Sequence, residues 1–211
     1  MTSFNYKIYN ELLPRINKIQ NIRILELGVQ KGRSTLKFLN ICKKNNGKLF
    51  SVDVEDCSEV SNDPEWTFIK SRDDNFVHIK SIVKEKIDIL FIDTIHEALH
   101  VKNIIEGYYD IVKEDGYIFI DDISHLPYVS NAERDNFYCE INNEETFDKI
   151  LEIYLNNKDN FDLNFSLISS GLAILKKKNN NQINAASRVP SRKFSVKNMV
   201  RYLWKKIKKN L

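Results

Sequence analysis

Residues 87–122, IDILFIDTIHEALHVKNIIEGYYDIVKEDGYIFIDD, decide the fold, because they contain two strand patterns joined by one helix pattern. Residues 87–92 form a run rich in isoleucine that is apolar except for Asp88, which is typical of a strand in a parallel sheet that is covered on both faces. A helix pattern follows over 97–112, and the run 117–120 predicts the next strand. A strand, a helix long enough to cross over and a second strand predict a parallel β-α-β unit.

The same alternation extends in both directions from this stretch. Strand patterns cover 22–27, 48–54 and 66–70, and helix patterns cover 33–44, 74–84 and 143–156. Residues 164–178 contain two strand patterns around Ser169-Ser170-Gly171, which predicts a hairpin. The order predicts an α/β fold with a Rossmann-like, doubly wound, mostly parallel sheet and an antiparallel C-terminal edge strand.

The composition excludes several classes of protein. With 211 residues, 42% of them hydrophobic, and 12 Phe and 9 Tyr, the chain is long and apolar enough for a real core, which argues against disorder. Three widely spaced cysteines without a CxxC pair argue against a disulfide framework or a zinc ribbon. Because no apolar run approaches the length of a membrane span and the first 20 residues lack the apolar core of a signal peptide, we expect a cytoplasmic protein.

The net charge of +3 is an average over two unlike parts. Residues 179–211 contain nine Lys and Arg and no acid, so residues 1–178 have a net charge of −6. Such an asymmetry marks a boundary. We therefore predict a domain over 1–178 and a basic tail over 179–211.

A glycine-bearing loop follows the first strand, in the sequence Glu26-Leu27-Gly28 to Gly32-Arg33-Ser34. Two glycines between a strand and a helix let the backbone approach a ligand closely, although a plain turn would use glycine in the same way. The loop lacks the third glycine of the dinucleotide motif and the GK[ST] ending of a phosphate-binding loop. We expect it to bind a nucleoside ligand that has no phosphates.

Acids and a serine follow the next two strands. Asp53 ends the second strand, where a carboxylate can accept hydrogen bonds from both ribose hydroxyls, or can simply be a solvated loop acid. Ser71 and Asp73 follow the third strand. They could contact the edge of a base, or they could cap the following helix, since both residue types are favoured there.

Three carboxylates follow the fourth and fifth strands. Asp93 ends one strand, and Asp121 and Asp122 end the other, so we expect all three at one edge of the sheet. They would repel one another without a cation between them, and oxygen ligands favour Mg²⁺. His96, three residues after Asp93, is placed as a general base, because histidine titrates near neutral pH. The alternatives are helix caps or solvated side chains for the acids and a structural role for the histidine.

These motifs resemble a known family. ILELGVQKGRS at 24–34, SVDVE at 51–55 and the stretch from 87 to 124 are similar to class I S-adenosylmethionine-dependent methyltransferases, in particular to small metal-dependent O-methyltransferases that act on sugars of macrolides and surface glycans. The resemblance implies that Glu26, Gly28, Gly32 and Ser34 hold the methionine part of the cofactor and that Asp53 binds the ribose. It also implies Mg²⁺ at Asp93, Asp121 and Asp122, with His96 as the base.

Two differences from the family bear on the acceptor. Bulky Thr94-Ile95 lies between Asp93 and His96, and Asp121-Asp122 fits the sugar branch better than the catechol branch. The resemblance implies transfer of a methyl group to a sugar hydroxyl of a surface glycan or glycoside, and a catechol-like or other small diol is the alternative acceptor. Outside enzymes, the alternative is a nucleotide-binding module of Rossmann type. Loop 123–142, with Tyr128, Glu133, Arg134 and Tyr138, is expected to line the acceptor site.

The tail predicts a basic amphipathic helix over 194–211. Apolar side chains recur at helical spacing, and lysines and arginines fill the positions between them. One interpretation is a helix that lies on the anionic inner face of a membrane. The other is a helix docked on its own acidic body or on a second subunit of a homo-oligomer. Nucleic acid is disfavoured as a partner, because the basic residues cluster in the tail and not beside the site.

Overall fold

The strands form one seven-stranded sheet in the order β3-β2-β1-β4-β5-β7-β6. The computed structural model describes residues 6–125, 137–184 and 195–209. Within them the strands are β1 Arg23–Leu27, β2 Lys48–Asp53, β3 Trp66–Lys70, β4 Ile87–Ile92, β5 Val112–Asp121, β6 Phe161–Ser166 and β7 Leu172–Lys177. A π-helical turn, Ile8–Leu12, leads into α1 Leu13–Ile16, and the other helices are α2 Thr35–Lys44, α3 Phe76–Val83, α4 Ala98–Tyr108, α5 Phe137–Asn156 and α6 Val196–Lys209.

The pairing confirms the predicted doubly wound, mostly parallel sheet. Strands β1 to β5 pair with one another in parallel, and every residue of β4 is buried. The C-terminal hairpin pairs antiparallel, as expected, but β7 takes the position beside β5 and leaves β6 at the edge. The strand that runs against the others therefore lies one position inside the edge.

Three boundaries differ from the sequence patterns by more than three residues. The helix expected to reach residue 112 ends at Tyr108, and β5 begins at Val112 instead of 117. A register shift between Ile87 and Ile89 explains this difference, because the extra residues of β5 bulge before Tyr117 pairs with Ile89. Helix α5 begins at Phe137, six residues before the predicted start at residue 143.

Helices cover both faces of the sheet and form two apolar layers. The N-terminal segment and α2 pack on one face, and α4 and α5 pack on the other. Ile8, Leu12 and Ile16 of the N-terminal segment are buried, and their spacing of four residues is a helical signal that the helices predicted above do not include. This segment carries Lys7 to the carboxyl ends of the strands.

The structure bears on two further expectations. No helix in the described residues is both long and apolar enough to cross a membrane. Residues 179–184 hydrogen-bond to the body, since Asn184 N donates to Asn157 Oδ1 and Asn160 Nδ2 donates to Gln182 O. The boundary after residue 178 stays a prediction, and the first residues of the predicted tail lie against the domain.

Candidate active site at the carboxyl ends of the strands

The glycine loop after β1 is fixed by close backbone contacts. Gly28 has φ of +95°, and a Cβ there would lie 2.0 Å from the carbonyl oxygen of Asp93. Gly32 has φ of +70°, and a Cβ there would lie 2.2 Å from Cγ1 of Val60. Any other residue at either position would be strained and would clash. The loop therefore lies directly against the end of β4, which carries Asp93.

Asp53 fastens this loop to the end of β2. Its Oδ2 accepts hydrogen bonds from the backbone N–H groups of Val29, at 2.9 Å, and Gln30, at 3.1 Å, and its Oδ1 accepts one from Glu55 N at 3.0 Å. Desolvation alone would raise the pKa of Asp53, but the backbone hydrogen bonds outweigh it and lower the pKa. Asp53 is therefore an ionised, half-buried acceptor at the mouth of the loop.

Glu26 is a fully buried carboxyl group beneath the loop. Its Oε2 accepts hydrogen bonds from Thr35 Oγ1 at 2.8 Å and Ser51 Oγ at 2.6 Å, and Ser34 also donates to the carboxyl group. Oε1 is buried and has no hydrogen-bond partner among the described residues. Burial raises the pKa of Glu26 to about 7 in spite of these donors. An orphaned carboxylate oxygen of this kind fits a donor from a ligand.

Ser71 and Asp73 do not cap the following helix. The N-cap residue of α3 is Asn75, which makes no side-chain capping bond, so the capping interpretation was wrong for both residues. Ser71 Oγ donates to the carbonyl of Arg72, and Ser71 N donates to the carbonyl of Asp53.

Asp73 is buried, and its carboxylate links two strand ends. Asp73 Oδ2 accepts a hydrogen bond from Thr94 Oγ1 at 2.7 Å and lies 2.8 Å from His100 Nε2. Sequence patterns do not point to His100, whose side chain is only 11% exposed. The contact spans 27 residues, and no local pattern signals it.

Asp93, Asp122 and His96 come together at the ends of β4 and β5. His96 Nε2 lies 3.6 Å from Asp93 Oδ1 and 3.4 Å from Asp122 Oδ2. One possible ligand atom from each of the three residues lies within 4.8 Å of the others. Asp122 reaches this position from a left-handed backbone conformation with φ of +58°, and its N–H donates to the carbonyl of Gly171 at 3.2 Å.

Asp121 lies beside this group but faces a different partner. It forms a buried salt bridge with Lys7, and Lys7 Nζ also donates to Ser170 Oγ at 2.5 Å. Lys7 is 3% exposed and lies 114 residues from Asp121 in the chain. Sequence patterns miss Lys7, because a polar residue in an N-terminal segment gives no signal of so distant a contact.

The cluster carries an excess of negative charge at a partly buried place. Burial raises the pKa of Asp93 well above its ordinary value, and the negative charges of Asp121 and Asp122 raise it further. Burial also raises the pKa of Asp121, although Lys7 opposes this shift. Two carboxylates that converge in this way fit a hard divalent cation, and the imidazole of His96 lies beside them.

Some of the predicted acceptor residues lie outside the described residues. These are Tyr128, Glu133 and Arg134, together with the side chain of Tyr138. His125 is described, with its ring 4.9 Å from the ring of Phe147 and a buried Nδ1 that has no partner in the described part of the chain.

Comparisons with known proteins agree with this fold. A family model for a methyltransferase domain matches residues 25–123, just under half of the chain. This match includes the glycine loop, Asp53 and all three carboxylates of the cluster. No curated protein matches the chain by sequence.

Several solved structures share the fold. A Staphylococcus aureus protein assigned as a caffeoyl-CoA O-methyltransferase has a TM-score of 0.62 and 19% identity, with 84% of each chain covered. MycE, a methyltransferase of the mycinamycin biosynthetic pathway, in complex with Mg, SAH and mycinamycin VI, has a TM-score of 0.58 and 17% identity over 87% of this chain and 50% of its own. The SAH-bound Podospora anserina methyltransferase PaMTH1 has a TM-score of 0.58 and 16% identity over 74% of this chain and 72% of its own.

Proposed function

We propose that this chain, a class I S-adenosylmethionine-dependent methyltransferase by its fold and its matched domain, transfers the methyl group to a hydroxyl oxygen with the help of a divalent cation. One observation carries the proposal. The glycine loop and the acid cluster are in direct contact, since Gly28 lies against the backbone of Asp93. A methyl donor bound by the loop would therefore lie beside an acceptor held at the cluster.

The donor side of the site would use two carboxyl groups. Asp53 is ionised and half-buried at the end of β2, where it can accept hydrogen bonds from ribose hydroxyls. The orphaned Oε1 of Glu26 can accept a hydrogen bond from the amino group of the methionine part. Ser34 orients Glu26, and Gly28 and Gly32 give the loop its shape. Ser71 and Asp73 border this side, and Asp73 positions Thr94 and His100.

The acceptor side would use the cluster at the ends of β4 and β5. A bound divalent cation would supply the positive charge that orients the acceptor and favours its deprotonation. Asp93 and Asp122 would hold that cation. His96 would take the proton of the acceptor hydroxyl, and the two carboxylates at 3.6 and 3.4 Å from its Nε2 would stabilise the imidazolium that forms. In-line transfer to the positioned oxygen would follow.

We further propose a sugar hydroxyl of a glycan or glycoside as the acceptor. The support is the consecutive pair Asp121-Asp122 and the likeness to MycE, whose structure contains Mg, SAH and mycinamycin VI. A catechol-like diol is the second candidate, and it is favoured by the likeness to the Staphylococcus aureus protein. Competition between a sugar diol and a catechol for methyl transfer from labelled donor would decide between them.

Calorimetric titration with S-adenosylhomocysteine tests the donor site and the cation separately. Wild type should bind the ligand without metal, and Asp53→Asn should weaken binding strongly. Asp93→Asn and Asp122→Asn should leave this binding measurable but abolish methyl transfer. Asp162→Asn, which changes an exposed carboxylate on β6, is the matched control and should behave as wild type. Absence of binding to wild type would contradict the donor site, and full transfer after removal of divalent ions would contradict the cation.

The C-terminal helix supports a proposal about location. In α6 the large apolar side chains are between 49% and 73% exposed, and they are Val196, Met199, Val200, Leu203, Trp204 and Ile207. The helix has no acid and carries six lysines and arginines. An exposed apolar stripe flanked by cations is complementary to an anionic lipid surface. We propose that α6 binds the inner membrane face peripherally, which would bring the enzyme close to membrane-linked glycan acceptors.

Vesicle binding tests this location. The full chain should sediment with vesicles that contain phosphatidylglycerol and should not sediment with phosphatidylcholine alone. Leu203→Glu should abolish sedimentation, and Val77→Glu, at an apolar residue of α3 that is 85% exposed, is the matched control. Trp204 and Trp66 are the two tryptophans of the chain, and entry of Trp204 into lipid should shift the emission to shorter wavelength. Concentration-dependent dimers that disappear in Leu203→Glu, without vesicle binding, would show instead that α6 docks on protein.

A further inference from the structure

Among the described residues of the N-terminal segment, Lys7 is the one whose side chain reaches the carboxylates of the cluster. Its Nζ forms the salt bridge with Asp121, donates to Ser170 and lies 3.9 Å from Asp122 Oδ1. The side chain is almost completely buried. A buried lysine is rare unless it has an ion-pair partner, so the charge of Lys7 has to be counted together with the charges of the carboxylates.

The contacts divide the carboxylates into two sets. Asp121 Oδ1 faces Lys7, whereas Asp93 Oδ1 faces His96. Asp122 lies between the sets, because its Oδ1 is nearer Lys7 and its Oδ2 is 3.4 Å from His96. The group of atoms close enough to share one cation accordingly consists of Asp93, His96 and Asp122, without Asp121.

One lysine and one divalent ion together balance the charges of the three carboxylates. When all three carboxylates are ionised and His96 is neutral, they carry three negative charges, and Lys7 neutralises one of them. The remaining two negative charges equal the charge of one Mg²⁺ or Mn²⁺. A buried cluster is stable when its charges are paired, so this balance is physically reasonable.

The N-terminal segment holds Lys7 in this position. Lys7 directly precedes the π-helical turn Ile8–Leu12. Ile8, Leu12 and Ile16 are buried in the apolar layer on one face of the sheet. The lysine is therefore anchored by apolar packing, and its ammonium group is a fixed part of the site.

We infer that Lys7 is a positioning residue of the proposed cation site: it retains Asp121 as its ion-pair partner and leaves Asp93 and Asp122, beside His96, to bind one divalent ion. The inference rests on the proposed cation of the methyltransferase reaction. It differs from the arrangement in which Asp93, Asp121 and Asp122 all ligate the ion. It also makes the N-terminal segment part of the active site.

Titration with Mn²⁺, followed by the loss of the EPR signal of the free ion, tests this inference without any turnover. Asp121→Asn would leave the ammonium group of Lys7 unneutralised near Asp122, so Mn²⁺ should bind at least about tenfold more weakly. Adding Lys7→Met to this variant removes the excess charge, and the affinity should return to within about threefold of wild type. Lys177→Met, at a buried lysine far from the cluster, is the matched control and should bind Mn²⁺ as wild type does.

The double variant separates pairing from direct ligation. If Asp121 ligates the ion itself, Lys7→Met cannot restore the affinity lost in Asp121→Asn, and the inference is wrong. Circular dichroism checks that each variant is folded, and the neutral Met and Asn side chains keep similar volumes in the buried pair. Failure of wild type to bind Mn²⁺, with S-adenosylhomocysteine binding intact, would contradict both this inference and the proposed cation. The donor site would be unaffected by that result.

Discussion

Lys7 and Lys177 are both buried lysines, and they lie at opposite ends of the same sheet. At the carboxyl ends of the parallel strands, Lys7 pairs with the carboxylate of Asp121. At the other end, Lys177 Nζ donates to the carbonyls of Tyr109, at 2.9 Å, and Val112, at 2.8 Å, and lies 4.0 Å from the centre of the Tyr109 ring. One lysine is matched by charge and the other by neutral acceptors.

The difference shows that the partners of a buried charge, and not its burial, indicate its role. The acceptors of Lys177 are the carbonyl of Tyr109, in the turn after α4, and the carbonyl of Val112, the first residue of β5. This lysine therefore holds the turn and the start of β5 together. Lys7 instead lies near three carboxylates, those of Asp93, Asp121 and Asp122, and their negative charge exceeds the single positive charge of the lysine. The carboxyl end of the sheet keeps unbalanced charge, which is typical of a functional site.

The largest expected effect tests whether residues at the carboxyl ends of the parallel strands take part in the reaction. His96→Ala should lower the turnover number by about 10²- to 10⁴-fold, because a general base contributes that much, while the affinity for S-adenosylhomocysteine stays within about threefold of wild type. His78, exposed on α3, provides the matched control, and His78→Ala should retain full turnover. If the turnover number of His96→Ala equals that of wild type, the main functional difference between the two ends of the sheet disappears.

The next effect compares the two lysines directly through the free energy of unfolding. Lys7→Met leaves Asp121 as an unpaired buried carboxylate and should cost about 3–5 kcal/mol. Lys177→Met leaves only neutral carbonyls without a donor and should cost about 1–3 kcal/mol. Urea denaturation measures both values. Adding Asp121→Asn should recover much of the loss in Lys7→Met, and a loss that is unchanged would contradict the ion pair.

The parallel part of the sheet could be predicted from sequence because its signals are local. Residues 87–92 are apolar except for Asp88, and each strand end carries polar residues within a few positions. The contacts that specify the site are not local. Lys7 and Asp121 are 114 residues apart, and Asp73 meets His100 across 27 residues, so no spacing rule could pair them.

The errors at element boundaries have the same origin. Val112 to Gly116 lack a clear strand pattern, yet they extend β5, because Val112 pairs with Ile87 across the bulge. Asp115 has φ of +64° there. Tertiary pairing thus overrides a local sequence that is typical of a turn.

A smaller effect is expected at the end of the sheet that holds Lys177, where the free energy of unfolding should depend on pH. Desolvation lowers the pKa of Lys177 from 10.5 to about 8. Between these two values the unfolded chain binds more protons than the native protein does, so this group makes the native state more stable as the pH rises from about 8 to 10.5. The difference in unfolding free energy between wild type and Lys177→Met should change over this interval. A difference that stays constant would show that Lys177 is not desolvated.

The smallest expected effect concerns the carboxyl end and the methyl donor. Burial raises the pKa of Glu26 from 4.5 to about 7, so in the absence of ligand this group destabilises the native state as the pH rises from about 4.5 to 7. A ligand with a protonated amino group favours the ionised carboxylate. S-adenosylhomocysteine should therefore bind about tenfold more tightly at pH 7.5 than at pH 6, because little of Glu26 is ionised at the lower pH. Glu26→Gln should bind more weakly and with the same affinity at both values, whereas a wild type without this dependence would place the amino group away from Glu26.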